Sequence, residues 1–161
     1  MPVRCIILLS ILTAILHAEN WPMWRGAKGS GVTTERNLPL KWSTKENIAW
    51  KIDLPQRGNS TPIVWGNRIF LTQPLEKENR RTLMCLDRHD GRVLWQRGIK
   101  YETKEETHRS NPYCSESPAT DGKRVVAVFG SAGVYCYDFV GKLLWKRDDL
   151  SSIEFEWGSA V

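Results

Sequence analysis

From residue 19 onward, apolar and polar positions alternate in short runs, and no stretch of convincing length keeps a helical period. The run 60–65 stops at Gly66-Asn67, and the run 68–73 starts at once. A Gly-Asn pair between two such runs predicts a two-residue hairpin, because primed turns need positive φ and glycine adopts it without a steric penalty. A polar loop, 74–80, leads to a third run at 82–87, and the turn 88–91 leads to a fourth at 92–97. The same order then returns. Runs at 117–120, 124–129, 134–138 and 142–146 are separated by turns at Asp121-Gly122, Gly130-Ser131-Ala132-Gly133 and Phe139-Val140-Gly141. The pattern predicts two four-stranded meanders.

The offsets identify a repeat. Pro62 to Pro118 and Gly66 to Gly122 are both 56 residues, whereas Gly91 to Gly141 and Trp95 to Trp145 are both 50. The difference of six is assigned to a five-residue loss between the second and third strands and one residue before Gly141, as expected of one structural unit used twice. Cys85 and Cys136 also fall at the same repeat position. Partial copies flank the pair: residues 47–51 resemble a lone fourth strand, and 157–161 the start of another first strand.

These residues resemble a known family. Asp87-Arg88-His89-Asp90-Gly91 followed by Trp95 is similar to the signature of PQQ-like (pyrroloquinoline-quinone-type) β-propeller repeats. Asp138-Phe139-Val140-Gly141 with Trp145 departs from it by one deleted residue and lacks the second Asp. Asn20–Gly26 and Asn111–Pro118 resemble a secreted bacterial subgroup. The resemblance implies an all-β fold, a partial β-propeller of four-stranded antiparallel blades. It comprises two full blades, a closing strand at 47–51 and the beginning of a third blade. Asp87, Gly91, Trp95, Asp138, Gly141 and Trp145 are its structural repeat positions, with each Trp expected to dock between blades. A closed propeller needs 4–8 blades, so the 161 residues are read as the N-terminal part of one.

The N-terminus carries a different signal. Arg4 precedes an eleven-residue apolar run, 6–16, broken only by Ser10 and Thr13, and His17-Ala18 follow. A membrane span needs roughly 20 apolar residues; this arrangement reads as a cleaved leader over 1–18, with a propeller segment over 19–161 and a periplasmic or secreted destination. No integral span is expected once the leader is removed. Export permits disulfides, and Cys85, Cys114 and Cys136 are the thiols then left, with their pairing open. The net charge of +5 is dispersed in short mixed groups such as Asn79-Arg80-Arg81, read as solvated loops and not a nucleic-acid surface.

Candidate chemistry is sparse. In propellers the loops entering first strands open at one mouth of the channel. Two such loops carry Arg-x-Asn: Arg57 with Asn59, and Arg109 with Asn111. Arg and Asn hydrogen-bond polar ligands, and the guanidinium fork suits carboxylates. These four residues form a candidate ligand face of positive potential, for a protein or a polar or anionic small molecule. His108, Ser115 and Ser117 lack the G-x-S-x-G turn of a hydrolase nucleophile, and Glu116 is a single carboxylate. The expected role is a non-catalytic binding or scaffold module, similar to the propeller subunit of outer-membrane assembly machinery. The alternative the resemblance implies is a PQQ- and calcium-dependent alcohol or sugar dehydrogenase. The adjacent cysteine pair often carried by such enzymes is absent from the sequence.

Overall fold

The computed structural model describes residues 18–150. The expected leader, apart from Ala18, and the expected start of a third blade lie outside the described residues. Eight strands form two antiparallel sheets: β1 (Ile63–Trp65), β2 (Arg68–Leu75), β3 (Arg80–Asp87) and β4 (Val93–Lys100), then β5 (Ala119–Thr120), β6 (Arg124–Val128), β7 (Val134–Asp138) and β8 (Leu143–Arg147). Each sheet is a meander in which every strand pairs with its neighbour in sequence. Trp65 faces Arg68 across the Gly66-Asn67 turn, the hairpin that the sequence predicts.

Strand alternation divides each sheet into two faces. The forward face of the first blade is Ile63, Phe70, Cys85 and Trp95, with Phe70 paired to Cys85 and Cys85 to Trp95. It packs on Val125, Ala127, Tyr135 and Tyr137 of the second blade in one continuous core. Phe70 lies 5.1 Å from Phe139 between ring centroids, and Trp95 lies 6.3 Å from Tyr137. The backward face of the first blade is a second cluster, Leu71, Met84 and Leu86, covered by Ile52. Even the entry to β1 is tied across: the Thr61 N–H donates to Ser117 Oγ, its repeat counterpart, at 3.0 Å.

Two readings of the sequence need correction. Residues 74–80 are only in part a loop: Pro74 and Leu75 continue β2, Arg80 begins β3, and a 3-10 turn, Glu76–Glu78, and Asn79 lie between. Proline is tolerated because β1 pairs only with residues 68–70, which leaves the far half of β2 at an edge. The extra residues of the first blade therefore lengthen its hairpin, with strands of 8 residues against 5 in the second. Residues 47–51 are not a strand: among the described residues they pair with none, and Asn47 has φ 58°, which breaks an extended run.

Candidate functional site

The repeat positions define the blade junction. Each turn is closed by its aspartate, with the Gly91 N–H donating to the Asp87 carbonyl and the Gly141 N–H to that of Asp138. The side chains add Asx bonds: Asp87 Oδ1 accepts from His89 N–H, and Asp138 Oδ1 from Val140 and Lys142. The bond from His89, more than the nearby Arg92, holds the Asp87 carboxyl below its ordinary range. Gly91 and Gly141 have φ of 74° and 83°, which disfavours other residues, and the missing side chain matters equally. A Cβ on Gly141 would lie 2.9 Å from the Trp95 ring, and one on Gly91 would lie 2.5 Å from Trp50. The indoles finish the contact: Trp95 Nε1–H donates to the Phe139 carbonyl at 3.0 Å, and Trp50 Nε1–H to the Arg88 carbonyl at 2.9 Å. So Trp50 does the work of a fourth-strand tryptophan without belonging to a strand.

The four candidate ligand-face residues lie on two loops in contact. Arg57 donates through Nη2 to the Arg109 carbonyl at 3.1 Å, and Asn59 through Nδ2 to the Ser110 carbonyl at 2.6 Å. The second loop is tightened by Asn111 N–H to the His108 carbonyl at 2.8 Å and by His108 Nδ1 against Ser110 Oγ at 2.6 Å. The structure therefore brings Arg57, Asn59, Arg109 and Asn111 together, with the first two turned to the backbone of the neighbouring loop. A groove of about 520 Å³ runs beside them, lined by Arg57, Arg109 and Lys104 but also by Glu76, Glu105 and Glu106. Beside the two arginines, from which the sequence leads one to expect a positive potential, the groove also carries carboxylates: Glu105 and Glu106 from the segment just before Arg109, and Glu76 from the first blade.

Sequence reasoning missed the residues that hold this loop. Arg81, read as part of a solvated group, is only 3% exposed. Its guanidinium stacks on Tyr113 at 3.5 Å from the ring centroid and lies 3.8 Å from Glu105. Glu105 in turn accepts from Ser131 N–H of the second blade at 2.9 Å, while Tyr113 Oη donates to the Glu105 carbonyl at 2.7 Å. Thr72 Oγ1 bonds the carbonyls of Cys114 and Glu116 from below. The only sequence signal was that Arg81 directly precedes an alternating run.

The remaining candidates are accounted for. Ser115 Oγ donates to the Pro112 carbonyl, and Ser117 Oγ accepts from Thr61, so neither meets His108 in a nucleophile arrangement. Glu116 is buried rather than facing an open channel. Cys85, Cys114 and Cys136 are free and buried. Burial pushes Cys85 to about 11 and Cys114 to about 12, and raises Cys136 as well. Among the described residues no group of three or more His, Cys, Asp or Glu could hold a metal ion, and no helix is long and apolar enough to cross a membrane.

Two stacked four-stranded blades, joined by a tryptophan on a glycine turn, define a β-propeller repeat protein of the PQQ-like class. The model of one family, described as outer membrane protein assembly factor BamB, matches residues 30–148, and the chain belongs to that family. A crystal structure of BamB from Moraxella catarrhalis is 16% identical, with a TM-score of 0.48. The match covers 62% of this chain and 27% of that one, so this chain spans about a quarter of that structure's length. A comparison with curated proteins finds no match.

Proposed function

We propose that the chain is an exported, non-catalytic binding or scaffold module, with a leader over 1–18 and a propeller segment over 19–161. In this reading the groove beside the 107–112 loop receives a protein partner in the periplasm or outside the cell. One observation carries the reading. The Arg57 and Asn59 side chains are directed at loop carbonyls and not at a reaction centre. This suits a rigid recognition surface, in which preorganisation lowers the cost of binding. The description of the family, an assembly factor, supports the same role. The mixed charges of the groove suit a polar protein segment better than a small anion. The role uses neither quinone nor calcium.

The test is cross-linking in cells. A photoreactive residue at position 109 of the exported chain should give a discrete adduct with an envelope protein, and the mature N-terminus should read Glu19. Asn59→Ala, which loses one loop bond worth about 0.5–1.5 kcal/mol, should weaken the adduct. Dye-linked alcohol oxidation by the purified chain with added PQQ and Ca²⁺, or retention of residues 1–18 in the cytoplasm, would overturn the proposal.

A further inference from the structure

The first residues after the expected leader lie across both blades. The Trp21 carbonyl accepts from the Val64 N–H of β1, and the Pro22 carbonyl from the Thr120 N–H of β5, each at 2.8 Å. Val64 and Thr120 are 56 residues apart and hence repeat counterparts, so two consecutive carbonyls bind one equivalent amide in each sheet. The Trp21 N–H returns a bond to the Val64 carbonyl, and Asn20 Oδ1 accepts from the Gly66 N–H at the turn after β1. Residues 20–22 thus form a strap that occupies the free edge of β1 at Val64 and ties it to the first strand of the next blade.

The strap is anchored at its own start. The Glu19 N–H donates to the Glu35 carboxylate. In return the Glu19 carboxylate accepts from Thr33 Oγ1 at 2.6 Å and from the Thr34 N–H at 3.4 Å, while the Glu35 N–H donates to Thr33 Oγ1 at 3.1 Å. Glu35 is half-buried, and among the described residues it forms no ion pair with a lysine or arginine. We propose that Glu35 is the seat of the N-terminal ammonium, and that leader removal thereby fastens the strap across the two blades. The inference rests on the leader proposed over 1–18 and is independent of the partner groove. While the leader is attached, the Glu19 nitrogen is a neutral amide and gives Glu35 one ordinary bond. Hydrolysis of the Ala18–Glu19 peptide bond consumes one water, leaves a carboxylate on Ala18 and frees an amine on Glu19 that is mostly protonated at neutral pH. The same contact then becomes a charge-assisted bond, shorter and roughly twice as strong. The charged groups against this nitrogen are Glu35 and the carboxylate of Glu19 itself, which Thr33 and Thr34 hold.

The test uses the exported chain purified from cells, its first residue read by N-terminal sequencing. NMR titration of the Glu19 α-amine is compared with that of a peptide of residues 19–24, which has the same neighbours but no Glu35. In the chain the amine should titrate about half a pH unit higher, since a facing carboxylate favours the charged form. Its acylation at pH 7 should be about threefold slower, in proportion to the neutral amine. Glu35→Gln, which keeps an oxygen acceptor and loses the charge, should return both values to those of the peptide. In that variant the Val64, Gly66 and Thr120 amides should exchange about two- to fivefold faster, the range for losing an exposed ion pair, with those of β3 unchanged. Nα-acetylation of the wild-type chain removes the same charge without a substitution and should accelerate them equally. A first residue other than Glu19 would overturn the leader reading and this inference with it. A Glu19 amine that titrates as in the peptide, or strap amides that exchange at the same rate after the charge is removed, would overturn the seat alone.

Discussion

The forward faces of the two blades carry residues at equivalent repeat positions and register, yet among the described residues one is a core and the other a surface. Ile63, Phe70, Cys85 and Trp95 are all buried; their counterparts Ala119, Val126, Cys136 and Trp145 run from exposed to buried within one patch. Strand pairing does not distinguish them, since Cys85–Trp95 and Cys136–Trp145 are the same pair. The difference lies in what is stacked on top. A four-stranded meander of this type satisfies its backbone internally but buries its apolar face only against a neighbour. The contribution of the strand-four tryptophan is thus a property of the junction and not of the blade.

The largest consequence concerns the two tryptophans. Trp95→Ala should cost about 3–5 kcal/mol in chemical denaturation, the range for deleting a buried large aromatic. Trp145→Ala should cost about 1 kcal/mol or less, as surface substitutions do. Equal costs would break the comparison. Next in size is the turn beneath Trp95. Gly141→Ala should destabilise by roughly 1–3 kcal/mol, because it forces a side chain into a positive-φ position and against the indole. Combining it with Trp95→Ala should recover part of that loss, and strict additivity would deny the contact.

Thiol chemistry sharpens the same contrast. With Cys85 raised to about 11, its reactive thiolate is roughly one part in a thousand at pH 8, and alkylation of the native chain should be slow. Cys136 lies under the open face, so low denaturant should expose it to iodoacetamide before Cys85. Mass spectrometry of the labelled peptides reads the order, and the reverse order would count against the open face. The smallest effect is electrostatic. Bonds from the Arg124 and Lys123 backbone N–H groups, then from the Arg124 side chain, hold Asp121 at about 2. A carboxyl depressed on folding stabilises above its unfolded value and loses that contribution as pH falls through its folded one. Asp121→Asn should therefore lose a small amount of stability at neutral pH and flatten the acid-side decline between about pH 4 and 2, the two forms converging at the acid end.

What the sequence revealed follows from range. The Gly91–Trp95 and Gly141–Trp145 spacings were legible because turn and strand are adjacent, and strand alternation put both indoles on matching faces. Pro74 and Arg80 were misread because turn-forming residue types are judged locally, while pairing with β3 extended the strand through them. Arg81, Tyr113 and Glu105 were invisible: their contact joins a strand to a loop far along the chain, with no periodicity to betray it. The 47–51 segment was recognised as fourth-strand-like from its Trp. Its role as a cap depends on the Gly91 turn, which no local pattern encodes. The loop of Arg57 and Asn59 lies against that of Arg109 and Asn111 through backbone carbonyl partners that the repeat does not encode.

The central claim is that an indole is locked by the glycine turn of the following blade. Exchange of the indole Nε1 protons, followed by NMR with each signal assigned by substitution, tests it most directly. The account predicts slow exchange for Trp50 and Trp95, whose protons are bonded to the Arg88 and Phe139 carbonyls, and fast exchange for Trp145. Protection of Trp145 equal to that of Trp95, or free exchange at all three, would contradict it.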